Sequence, residues 1–217
     1  MSGISRSHDE KNLVMYERLK ESIQVLGTID ISYERKSILQ PLIDFIRYKK
    51  NRGNSIRLNF ICTHNSRRSH FAQVWAQTLA YYFDIKNVEC FSGGTEGTRI
   101  YPKVIDIFEK QGFKILQLSD TNNPVIGIKY DQNEGPVICF SKAYHHDFNP
   151  GSDYMAVMVC DDADENCPVV IGAESRTAIT YFDPKKYDHT EIEDKKYLEK
   201  STEIGSELYY IFSNSKD

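Results

Sequence analysis

The run IRLNFI at residues 56–61 has the alternating and β-branched character of a buried strand, and it leads directly into the polar stretch CTHNSRRS at 62–69. Beyond it, Phe71, Val74, Trp75, Leu79 and Tyr82 recur at helical spacing. A strand that turns through eight small or polar residues into an amphipathic helix is half of a crossover unit. The unit then repeats: VECF (88–91 in register with SGGTEG behind it) is followed by a helix opened by Pro102 and closed near Gly112. Alternation of strand and helix argues for an α/β fold with a parallel sheet covered by helices.

The junction at Cys62 also carries chemistry. Backbone N–H groups gather where a strand meets a helix N-terminus, and the helix dipole adds partial positive charge, so such a loop suits a tetrahedral oxyanion. A cysteine at its base sits in a field that favours the thiolate, which is the nucleophilic form. Ser69 is placed to donate a hydrogen bond to that sulfur. Arg68, six residues after Cys62, offers the planar donor face that matches two oxygens of phosphate or arsenate. Thr63, His64, Asn65, Ser66, Arg67, Arg68 and Ser69 are therefore the expected oxyanion-binding residues.

Elsewhere the patterns predict two N-terminal helices, one ending at Gly27 and one over 38–50 with Pro41 at its start or kinking it. Residues 1–54 read as an N-terminal helical extension and 55–217 as the catalytic domain. VIGIKY (125–130) and PVICF (136–140) read as a hairpin, MAVMVC (155–160) and TAITYF (177–182) as strands. A C-terminal helix is predicted to begin at a capping box formed by Thr190 and Glu193. The polar first eleven residues are expected to fray.

In order along the chain, CTHNSRRS, SGGTEG with Pro102 behind it, CDDADENCP and YFDP resemble the motifs of the low-molecular-weight protein tyrosine phosphatase superfamily, most closely its thioredoxin-coupled arsenate reductases. The resemblance covers about residues 56–212. It implies a four-stranded parallel sheet flanked by helices, here with the N-terminal extension and the inserted hairpin added. It also implies Cys62 as nucleophile, residues 63–68 as oxyanion cradle and Asp183 as general acid. Cys160 and Cys167, which a phosphatase of this superfamily does not need, match the second and third cysteines of a reductase relay. The implied function is arsenate reduction with a thioredoxin-like reductant. The alternative is a phosphomonoester phosphatase, and a third reading is a phosphate-responsive binding protein with vestigial hydrolysis.

Some positions depart from the family pattern. His64 stands where the reductases often have glycine, Arg67 where several carry a further cysteine, and Gly93 replaces the usual alanine. Gln73 takes the place of a carboxylate that supports potassium in some members, so that ion is not predicted. His145 and His146 lack zinc-site spacing to any partner, so no metal and no cofactor are expected. Cys90 and Cys139 lie in apolar strands and read as packing residues. A net charge of −4 lacks the basic excess of a nucleic-acid binder. No segment reads as membrane-spanning and no signal peptide is recognised at the start, so the expected location is cytoplasmic. Five cysteines, an odd and sparse set, fit thiol chemistry in a reducing compartment better than a disulfide scaffold.

Overall fold

The computed structural model describes residues 14–166 and 169–216. Cys167 and the first eleven residues lie outside the described residues.

Strand β1 (Ile56–Cys62) is almost wholly buried on both sides, Asn59 included, because it runs in the interior of a four-stranded sheet of order β2-β1-β6-β7. Its neighbours are β2 (Val88–Gly94) and β6 (Tyr154–Met158), and β7 (Ala173–Ala178) lies beyond β6. All three pairings are parallel, with Cys62 opposite Gly94 and Ile61 opposite Met158. Both faces of such a sheet must be covered, which is why β6 reads as a continuous hydrophobic run.

Helix α3 (Arg68–Tyr82) packs on β1, β2 and the long α6 (Glu193–Asn214), with α4 (Pro102–Lys110) also against α6. The N-terminal helices α1 (Glu17–Leu26) and α2 (Tyr33–Asn51) bury Leu19, Ile23, Leu26, Leu39, Leu42, Ile43 and Ile46 in the same hydrophobic core as the sheet. Trp75 is fully buried, its indole N–H donating to Ser201 Oγ at 2.9 Å. A short α5 (Asp161–Asn166) follows β6. Among the described residues no helix is long and apolar enough to cross a membrane.

The predicted hairpin is β4 (Ile126–Lys129) and β5 (Val137–Cys139), antiparallel as expected. A strand not foreseen, β3 (Lys114–Gln117), completes a second, three-stranded sheet.

Three boundaries differ from the sequence reading. Helix α2 begins at Tyr33, not residue 38, because Ser32 Oγ accepts the Arg35 N–H and caps it, and Pro41 is accommodated in its interior. The strand expected at 177–182 is β7 at Ala173–Ala178; beyond it Ile179 N–H and Tyr181 N–H still donate to Met158 O and Val159 O, but the segment is no longer regular strand, and Tyr181 O and Asp183 meet the side-chain partner described below. The Thr190–Glu193 capping box does not form. Thr190 Oγ1 donates to Tyr187 O at 2.7 Å, while Glu193 Oε1 accepts from Tyr101 Oη at 2.6 Å and from His189 N.

Candidate active site

The loop between β1 and α3 turns its carbonyls outward. Cys62 O accepts from Thr95 N, Thr63 O from Glu96 N and Ser66 O from Tyr101 N, each at 3.0 Å. His64 O accepts from Ser141 Oγ and Thr98 Oγ1, and Asn65 O from His70 Nε2 at 2.9 Å. In a trans peptide the N–H points opposite to the preceding C=O. Five outward carbonyls therefore aim the N–H groups of residues 63–67 to the inner side of the loop. There a cavity of about 160 Å³ is lined by Cys62, Thr63, His64, Ser66, Arg67, Arg68, Asp162, Asp183 and Lys185. Asn65 makes the sharp turn with φ of 44°, a left-handed conformation that asparagine tolerates.

The hydrogen bonds reaching the sulfur have a determined direction. Lys142 N–H can only donate, so the Asn65 atom facing it at 2.9 Å is Oδ1. Asn65 Nδ2 then donates to Ser69 Oγ at 2.8 Å. With Ser69 already accepting, its hydroxyl proton is free for Cys62 Sγ, 3.1 Å away. Cys62, Asn65 and Ser69 are all buried, so this donor is aimed at the sulfur without competition from bulk water.

The two arginines of the motif part company. Arg68 donates from Nη2 to Asp183 Oδ2 at 2.6 Å and from Nη1 to Tyr181 O at 2.8 Å, so guanidinium and carboxylate share the cavity wall with Cys62. Arg67 directs Nε to Tyr197 Oη and Nη2 to Asp188 Oδ2, each at 2.5 Å, and stacks over the Tyr101 ring at 4.3 Å. Burial pulls its pKa down, but Tyr197 and Asp188 more than offset that and leave it raised. Although Arg67 contributes to the cavity wall, these bonds make it a clamp between the loop and the 183–188 turn. His64 sits at the rim, Nδ1 2.6 Å from Glu96 Oε1 but out of line for a hydrogen bond.

Cys160 reaches the same site because β6 is the neighbour of β1 and Val159 N–H donates to Ile61 O. Its Sγ lies 3.5 Å from Thr63 Oγ1 and it is only 1% exposed. Burial raises its pKa, Thr63 and Arg68 act to lower it, and the nearby Cys62 adds to the rise. The acidic segment after it begins as α5, whose Asp164 N–H donates to Cys160 O. Cys167, the third candidate, is outside the described residues. Cys90 and Cys139 are buried away from the cavity, where desolvation raises both thiols well above the ordinary range.

Residues that the sequence reading did not single out also shape the site. Tyr181 supplies a carbonyl to Arg68, Asp162 and Lys185 line the cavity, and Ser141 and Lys142 brace the loop from the segment after β5. No local pattern marks any of them. That bracing also explains Gly93: a Cβ there would lie 2.3 Å from Tyr144 Cα, so the segment following Lys142 excludes the alanine usual in the family. Among the described residues no group of three or more His, Cys, Asp or Glu has a metal-binding arrangement, and His145 and His146 are exposed.

A parallel α/β sheet presenting a cysteine beneath amide donors at a helix N-terminus, with an arginine beside it, defines the class of thiol-dependent oxyanion enzymes. No protein-family model matches the chain. Arsenate reductase 2 of Staphylococcus epidermidis is 30% identical over 125 residues, which is 58% of this chain and 76% of that protein. Arsenate reductase 2 of Staphylococcus haemolyticus is 27% identical over 111 residues, 51% of this chain and 65% of that one. Among solved structures, a low-molecular-weight phosphotyrosine phosphatase from Vibrio cholerae shares the fold, with a TM-score of 0.50 at 10% identity over 74% of this chain and 96% of its own. The chain belongs to the low-molecular-weight protein tyrosine phosphatase superfamily, and its sequence similarity runs to the arsenate reductases.

Proposed function

We propose that this protein is an arsenate reductase working through Cys62, Cys160 and Cys167, with a thioredoxin-like dithiol protein as reductant. The observation that carries the reading is Cys160, a second buried thiol hydrogen-bonded to the oxyanion loop beside Cys62. A phosphatase has no use for a thiol there.

In the first step the Cys62 thiolate attacks arsenic(V), an S–As bond forms, and an arsenate oxygen leaves as hydroxide or, with a proton from Asp183, as water. The loop N–H groups and Arg68 hold the remaining oxygens. In the second step the Cys160 thiolate attacks Cys62 Sγ. The S–S bond forms as the S–As pair passes to arsenic, which leaves as arsenite, reduced by two electrons. Cys167 then attacks Cys160, freeing Cys62, and the external dithiol reduces the resulting disulfide.

Burial is the main cause raising the Cys160 pKa, while Thr63 and Arg68 act to lower it and so favour the thiolate that the second step needs.

A second reading, phosphomonoester hydrolysis, is favoured by one observation: Asp183, at the cavity wall and ion-paired to Arg68, is placed to protonate a leaving alkoxide. Parallel assays separate the two. Purified protein is given arsenate with thioredoxin and its reductase, or para-nitrophenyl phosphate. Cys160→Ser is expected to abolish arsenate turnover and leave phosphate ester hydrolysis largely intact. A Cys160→Ser enzyme that reduces arsenate at the full rate refutes the relay. The location proposed for this chemistry is the cytoplasm, where thiols are kept reduced.

A further inference from the structure

Arg35 lies in α2, in the N-terminal region with no counterpart in the motifs discussed above, yet its guanidinium points at the segment that carries Asp183. Nε and Nη2 meet the two Glu207 oxygens at 2.7 and 2.8 Å, and Nη2 also donates to Thr180 O at 3.2 Å. Glu207 Oε2 accepts the Tyr181 phenol at 2.7 Å, and the guanidinium carbon lies 5.0 Å from the centre of that ring. Tyr181 O in turn accepts from Arg68. Two arginines therefore grip successive carbonyls of one irregular segment, Arg35 at Thr180 and Arg68 at Tyr181, immediately before Phe182 and Asp183.

We propose that Arg35 is a positioning residue for the proposed reaction: through Glu207, Thr180 and Tyr181 it fixes the segment that presents Asp183 and orients Arg68 over the oxyanion loop. The inference rests on the reading above that Arg68 and Asp183 act on the bound oxyanion. Beyond β7 the N–H groups of Ile179 and Tyr181 still donate to Met158 O and Val159 O, but the carbonyls of Thr180 and Tyr181 on the other side of the segment are held by the two arginines. Ile179 and Tyr181 are buried whereas Phe182 is 82% exposed and adds little packing, so the approach to Asp183 depends on these polar anchors as well as on the core. Burial acts to lower the Arg35 pKa, but hydrogen bonding and charge from Glu207 outweigh it, so the anchor stays charged. Glu207 and burial keep the Tyr181 phenol protonated, its pKa raised well above the ordinary value. Arg35 and Glu207 also form part of the wall of a cavity of about 520 Å³ between the α1–α2 connection with the start of α2 and the helix α6, which gives small solutes access to the pair.

A double-mutant cycle tests this with kcat and KM for arsenate and for para-nitrophenyl phosphate in the parent protein, Arg35→Gln, Asp183→Asn and the double variant. Arg35→Gln is expected to lower kcat about tenfold in the parent background and less than about threefold in the Asp183→Asn background, since coupled sites are not additive. Arg35→Lys, which keeps the charge and part of the bonding, should recover part of the loss and replaces Gln in the cycle if the Gln variant does not fold. Arg35→Ala should be partly rescued by millimolar guanidinium entering from the cavity. Equal fractional losses in both backgrounds, or no loss at all, overturn the proposal. If the parent protein turns over neither substrate, the functional reading fails separately. The positioning inference is then tested by phosphate protection of Cys62 from iodoacetamide, where Arg35→Gln should need several-fold more phosphate and an unchanged requirement overturns it.

Discussion

Ser69→Ala removes one oxygen and tests the directed chain that ends on the sulfur. In the structure Lys142 N–H fixes the Asn65 amide, Asn65 fixes Ser69 as an acceptor, and Ser69 is left to donate to Cys62 across 3.1 Å. A hydrogen bond to a charged acceptor is worth about 1.5–3 kcal/mol, which corresponds to a roughly ten- to hundredfold weaker stabilisation of the sulfur anion when it is lost. The substitution also leaves Asn65 Nδ2 buried without a partner, at a cost of about 1–3 kcal/mol in folding stability. The two effects are read separately. Alkylation of Cys62 by iodoacetamide, followed by peptide mass spectrometry, should slow by up to about ten- to hundredfold near neutral pH. Urea unfolding reports the stability loss, and the single Trp75, fully buried, supplies the fluorescence signal. If Ser69→Ala alkylates at the parent rate across the pH range, Ser69 does not donate to the sulfur and the inferred direction of the chain is wrong.

Gly93→Ala should destabilise the protein by about 1–3 kcal/mol or more, because the new methyl meets backbone at Tyr144 rather than a side chain that can swing away; an unchanged melting temperature would contradict that clash. His70 is fully buried, and burial followed by the nearby Lys142 lowers its pKa from 6.5 to about 3. Its folded-state pKa lies below the unfolded value, so the unfolded chain binds the proton first: stability is fully present above about pH 6.5 and falls by up to about 1.4 kcal/mol per pH unit as the pH drops toward 3. Urea titrations at several pH values should show this slope, and His70→Gln should flatten it. Asp183→Asn should reduce phosphate ester hydrolysis by roughly 10²–10⁴ for substrates with poor leaving groups and much less for nitrophenyl esters. A uniform loss across leaving groups would remove Asp183 from the role of acid.

The class of fold was legible because strand and helix periods alternate along the chain, and each period is a property of a few neighbouring residues. The cysteine loop was legible for a similar reason. Cys62, Asn65, Ser69 and the first turn of α3 lie within about ten residues, so the local path of the chain nearly dictates their arrangement. Boundaries failed where a side chain found a remote partner: residues 179–182 look like strand, but Tyr181 is drawn to Glu207 and Arg68, and Glu193 is taken by Tyr101 and His189 instead of capping α6.

Arg67 and Arg68 are identical in chemistry and adjacent in sequence, and no local rule assigns them different tasks. Arg67 caps α3 in a non-helical conformation and Arg68 is its first helical residue, so the two side chains diverge, one facing Asp183 and the other Tyr197 and Asp188. Which direction holds which partner depends on where α6 and the 183–188 turn pack. The same holds for Lys142, 77 residues from Asn65, whose backbone sets the orientation of the amide that ultimately directs a proton at Cys62. The cysteine loop and the alternation that builds the sheet were readable from the chain alone, since they depend on short-range geometry. The polarity of the hydrogen bonds, the different partners of the two arginines and the reach of α2 toward the segment before Asp183 came only with the fold, because they depend on groups brought together by packing.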